Sequence, residues 1–158
     1  MKLTVIALLG ALVALPAAAH DGVHIVDPFA RVMGPAGAAY FRIVNHAAKE
    51  DTLISATSPD AGMVMLMDNH ADANGVMKMG ELPNGMTAGA EDEHVLRPGG
   101  DHVMLMELKH KIADGDKVTV VLTFKNAGEV TVTVPVNNKR TEEPGAGPTE
   151  FDVSSEAH

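Results

Sequence analysis

The chain is 158 residues long, contains no cysteine and carries a formal net charge of −9 at pH 7. The missing thiols exclude disulfides, CxxC redox chemistry, Cys nucleophiles and any thiolate metal centre, blue copper included. The acidic balance opposes nucleic acid and anionic membranes, and one Tyr, four Phe and no Trp leave little for a base-stacking platform.

The first residues bear on the compartment. Met1-Lys2 is a short positive start, and Leu3 to Leu15 is apolar apart from Thr4 and Gly10. Pro16-Ala17-Ala18-Ala19 then places small residues at positions −3 and −1 of a cut after Ala19. This is the pattern of a cleaved secretory signal over residues 1–19. The run is too short to cross a bilayer, for which about 20 apolar residues are needed. No later stretch reads as a membrane helix. Cleavage removes Lys2, so the mature charge is −10, one below the −9 of the whole chain.

The mature chain reads as short strands between turn signals. Val23–Met33 is followed by the breaker Gly34-Pro35-Ala36-Gly37. Ala39–Asn45 alternates and is rich in β-formers. Asp51–Thr57 precedes the turn Ser58-Pro59-Asp60-Ala61-Gly62. Met63–Met67 and Gly75–Met79 flank a polar turn at Asp68–Asn74, and Pro83-Asn84-Gly85 turns again. Glu93–Leu96, His102–Leu108, Lys117–Phe124 and Glu129–Val136 complete the set. No segment keeps a 3.6-residue apolar period, so an antiparallel sandwich or barrel is expected over residues 20–137. Residues 138–158 carry Pro, Gly, Ser and five acidic residues, which reads as a disordered acidic tail.

Methionine is the unusual residue. Nine remain after signal removal, and eight of them lie between Met63 and Met106. Alternation puts Met63, Met65 and Met67 on one face of their strand, and His102, Met104 and Met106 on one face of theirs. Met77 and Met79 share a face likewise. Thioether sulfur is neutral and polarisable, and with imidazole it suits Cu(I) rather than Ca²⁺, Mg²⁺ or Zn²⁺. Taken singly, Met63, Met65, Met77 and Met106 read more readily as core filler. Clustering argues for a metal, since Lys117–Val136 contains no Met at all. His102-x-Met104, after a Pro-Gly-Gly turn, is the most specific element. His20 would become the mature N-terminus, and with His24 nearby it is a candidate second, Cu(II)-preferring site. His46, His94 and His110 read as surface residues.

Several stretches resemble the PCu(A)C family of periplasmic copper chaperones. They are Gly75-Val-Met-Lys-Met79, Leu96-Arg-Pro-Gly-Gly-Asp-His102-Val-Met104-Leu-Met106, Gly115-Asp and Phe124-x-x-Ala-Gly-x-Val. Ala30-Arg31, Gly37-Ala-Ala-Tyr-Phe41, Asn45 and Ser58-Pro-Asp-Ala-Gly62 are similar too. The resemblance covers about residues 22–136. It implies a cupredoxin-like β-sandwich and a Cu(I) site built on His or Met, ten residues, Met, twenty-one residues, then His-x-Met. Met79, His102 and Met104 match the last three ligands. The first falls on Met67, if one residue is inserted in the following turn, or on His70. The resemblance also implies delivery of copper to the CuA site of cytochrome c oxidase subunit II, or to another periplasmic copper protein, without catalysis. A copper buffer or resistance protein is the alternative, and a small copper oxygenase built on His20 a more distant one.

Overall fold

In a computed structural model, residues 22–145 are described. They form ten strands: β1 (Val23–Met33), β2 (Ala36–Asn45), β3 (Asp51–Thr57), β4 (Ala61–Ala71), β5 (Met77–Glu81), β6 (Met86–Ala88), β7 (Glu93–Val95), β8 (His102–Leu108), β9 (Lys117–Phe124) and β10 (Gly128–Pro135). One sheet runs β1-β2-β8-β4-β5, with β7 also pairing β2; the other runs β10-β9-β3-β6. All strand pairs are antiparallel. Among the described residues no helix is long and apolar enough to cross a membrane.

Alternation builds the core. Val118, Val120, Leu122 and Phe124 of β9 point inward, and so do Val132 and Val134 of β10. Facing them across the sandwich are Ala39, Phe41 and Ile43 of β2, Val103 and Leu105 of β8, and Leu66 of β4. Each large side chain so buried stabilises the fold by roughly 1.5–3 kcal/mol. The other face of the larger sheet is the outer one, and β4 and β8 turn their methionines to it.

Three local features differ from the sequence reading. β4 runs to Ala71, so the turn after it lies at Asp72–Gly75 rather than Asp68–Asn74. Asp72 makes it: its carboxylate accepts the Asn74 and Val76 N–H groups, and its backbone pairs with Gly75 and Val76. β6 was not anticipated; its three residues pair with β3 and bury Met86. β1 contains a bulge between Val26 and Phe29, where Asp27 takes φ = 48°. The extra residue moves Phe29 to the outer face while Ala30 stays inside.

That bulge anchors the chain beyond β10. Residues 138–145, expected to be disordered, are held against the outer face. Arg140 lies 4.2 Å above the Phe29 ring and pairs with the Asp27 carboxylate. The Gly145 N–H donates to Asp27 at 2.7 Å, and Arg42 donates to the Pro144 and Gly145 carbonyls. The Val32 N–H donates to Asn138 Oδ1 at 2.7 Å. An acidic tail read from composition alone misses Asp27, more than a hundred residues upstream. Residues 1–21, with the signal segment and His20, and residues 146–158 of the tail lie outside the described residues.

The Arg140 hydrogen bonds hold the Asp27 carboxyl below its usual value of 3.8, against an opposing effect of burial. A depressed carboxylate adds stability above the unfolded value, and that contribution is lost as pH falls through the folded value. Acidification below pH 3.8 is therefore expected to release residues 138–145. Faster hydrogen exchange at the Gly145 and Val32 amides reads this, and Asp27→Asn abolishes the acid step. Unchanged exchange across that window in the unmodified protein counts against it.

Candidate metal centre

The register brings the outer-face donors together. Met67 of β4 lies directly opposite His102 of β8, Met65 opposite Met104, and Met63 opposite Met106. On the other side of β4, Met67 pairs with Glu81 and Asn69 with Met79. Met67 therefore has His102 as its direct neighbour and Met104 and Met79 as diagonal ones. Directly paired residues hold Cβ atoms about 4.5–5.5 Å apart, and diagonal neighbours are about 7–8 Å apart, within reach of long side chains. Four of the five expected ligands thus share the outer face, three of them direct or diagonal neighbours of Met67.

The fifth, His70, does not join them. It falls on β4, not in the turn, and one residue out of phase with Met67 and Asn69. Its Nδ1 is 3.1 Å from Asp68 Oδ1 on that opposite face. The ring lies over Gly80, where a Cβ would stand 3.2 Å from its Cε1.

His102 is oriented by its own turn. The side chain is buried, and Nδ1 is 2.9 Å from the Gly100 carbonyl oxygen. A carbonyl only accepts, so Nδ1 carries the hydrogen and donates it. In the neutral ring this leaves the Nε2 lone pair free for a metal. The turn that presents Gly100 is fixed in turn. Arg97 and Asp101 pair through their backbone, Gly100 N–H donates to the Arg97 carbonyl, and His94 Nε2 lies 2.8 Å from Asp101 Oδ2. His94, read from sequence as a surface residue, is a tie in this loop.

Beside His102 and Met104 a cleft of about 570 Å³ opens over Ala36, Gly37 and Ala38. These small β2 residues keep its floor low. Arg31, Met33, Tyr40, Asn69, Met79 and Asn138 form its walls. Burial pushes the Tyr40 phenol above its usual value of 10.0, opposed by the charge of Arg31. Tyr40 is therefore neutral near pH 7, and its ring lies 6.2 Å from that of His102. Glu81 shares the outer face, opposite Met67, and supplies a negative charge beside the donors. Sequence reasoning missed it, although alternation from Met79 places it on the same face. Asn138 and the Gly100 carbonyl carried no local signal.

Met86 is the methionine that fills the core; Met63, Met65, Met77 and Met106 do not. Met63, Met77 and Met79 are 47%, 60% and 51% exposed, and Met65 and Met106 are half-buried on the outer face. Among the described residues no group of three His, Asp and Glu side chains is placed to hold a metal ion. The clustered donors are thioethers and one imidazole, a set for a soft ion. Elsewhere, His24 meets His46 edge to face, with ring centroids 5.2 Å apart.

Known proteins share this architecture. A family profile described as "Putative lipoprotein LpqE-like" matches residues 23–136. The relative "Putative lipoprotein Lxx21020" of Leifsonia xyli subsp. xyli is 29% identical over 137 residues, covering 83% of this chain and 82% of its own. Among solved structures, the copper-bound PCuAC domain from PmoF2 superposes with a TM-score of 0.59 at 25% identity, over 73% of this chain and 92% of that domain. The CuI form of DR1885 from Deinococcus radiodurans gives 0.58 at 28% identity, over 78% and 85%. Its apo form gives 0.56 at 26%, over 87% and 96%. These likenesses bear out the PCuAC resemblance and the all-β sandwich. The profile spans every strand of both sheets, and the chain belongs to the LpqE-like family.

Proposed function

We propose that this protein is an exported copper carrier that binds Cu(I) through Met67, Met79, His102 and Met104, and catalyses nothing. One observation carries the reading: Met67 stands directly opposite a histidine whose Nε2 is free, with two further methionines diagonal to it. The copper-bound PmoF2 domain and CuI-DR1885 support it as structural relatives. Thioethers do not compete with protons, so only His102 makes binding sensitive to acid. Neutral ligands also hold Cu(I) less strongly than thiolates do. The ion therefore moves downhill to a thiolate acceptor. The CuA site of cytochrome c oxidase subunit II, in the periplasm, is the acceptor proposed, reached after removal of residues 1–19.

Mixing Cu(I)-loaded protein with a purified, metal-free CuA domain tests delivery. Transfer of copper to the CuA domain is expected, followed by its visible absorption once the dinuclear site is filled and oxidised. Retention of Cu(I) by the carrier, with the CuA domain still empty, overturns delivery and leaves buffering.

A further inference from the structure

Met63, Met65 and Met106, on the outer face, take no part in the site above. Met63 lies directly opposite Met106, and Met65 is the next outward residue on β4, diagonal to Met106. Leu66 beside Met65 and Leu105 beside Met106 fill the core, so packing does not call for these thioethers. An outward position on a half-covered antiparallel sheet ordinarily takes a polar residue. Met63 is nonetheless a thioether and 47% exposed. Direct and diagonal partners on adjacent strands lie within mutual reach of side chains as long as methionine.

We infer that Met63, Met65 and Met106 form a second soft-metal site, an all-thioether triad that takes Cu(I) or another monovalent d¹⁰ ion. The inference rests on reading this face as a Cu(I) carrier. The triad adjoins the first site, because Met65 is paired with Met104. Residues two apart on a strand are separated by about 7 Å along it, so two bound cations repel. The triad also lacks an imidazole. For both reasons it fills second and holds its ion more weakly. The outer face then carries two ions, the second nearer the Ala61–Leu108 end of the β4–β8 ladder.

Ag(I), an air-stable analogue of Cu(I), tests this by titration into the purified protein. Two equivalents are expected to bind. The methionine ε-methyl resonances of Met67, Met79 and Met104 shift up to one equivalent, and those of Met63, Met65 and Met106 shift between one and two. The volume-conserving triple variant Met63→Leu, Met65→Leu, Met106→Leu should bind one equivalent while keeping the affinity of the first. A wild-type protein that saturates at one equivalent, or silent Met63, Met65 and Met106 methyls through the second, overturns the triad. His102→Ala separates the two readings. It should remove the tighter equivalent and leave the triad, whereas two unaltered equivalents in that variant fault the first site alone.

Discussion

Replacing His102 and Met104 together by alanine is expected to weaken Cu(I) binding by at least about 100-fold, read by competition against a chromogenic Cu(I) chelator. Loss of a single outer partner of a metal ligand already costs roughly 10–100-fold, and here two donors go at once. His102 supplies the one nitrogen of the set, and the Gly100 carbonyl fixes which nitrogen that is. Met104 is diagonal to Met67 across the β4–β8 ladder. The fold should survive, because both side chains face outward while Val103 and Leu105 keep the core. The same titration separates Met67 from His70. Met67→Leu should weaken binding markedly and His70→Asn should not, since His70 lies on the opposite face of the hairpin. Unchanged affinity in the double variant would sink the site.

The largest expected loss of stability is at Asn45. This side chain is 1% exposed at the end of β2. Its Nδ2 donates to the carbonyls of Lys49, Ala88 and Gly89 at 2.8, 3.3 and 2.9 Å, and its Oδ1 accepts the Ala47 N–H at 3.0 Å. One amide thus ties the β2–β3 connection to the end of β6. Asn45→Leu keeps the volume and strands these backbone groups. Each buried group left unsatisfied costs about 1–3 kcal/mol, and partial access to water lowers the sum to about 3 kcal/mol. For a domain of this size that lowers Tm by roughly 10 °C. Cu(I) affinity of the folded fraction should be unchanged, because the metal face lies at the other end of β2. A thermal melt within about 2 °C of wild type would refute the account.

Much of this was legible in the sequence because alternation is a local signal. Lys117–Phe124 displays its inward residues at every second position, and the structure follows it. Alternation also placed the methionines of each strand on a common face. It could not say which face was the outer one, since that depends on how the sheets stack. Met63, Met65, Met77 and Met106 consequently read as filler. Polar residues misled at the β4–β5 turn. Asp68, Asn69 and His70 look like loop, yet they pair with β5 as a ladder, and the turn waits for Asp72 and Gly75. Which of Met67 and His70 shares a face with His102 depends on that register. β6 was missed because three residues carry no period. Residues 138–145 were missed because Arg140 finds its partner at Asp27, through a bulge that composition does not announce.

The outward methionines have one more chemical consequence. A thioether that faces water also faces oxidants, and Met79, one of the proposed ligands, is 51% exposed. Oxidation to the sulfoxide turns a soft sulfur donor into a polar group with a hard oxygen. Coordination occupies the sulfur lone pair that an oxidant attacks. On the proposed function, the metal-free protein is the fragile form at those ligands and the loaded one the protected form, so the supply of copper would set how long each molecule stays serviceable.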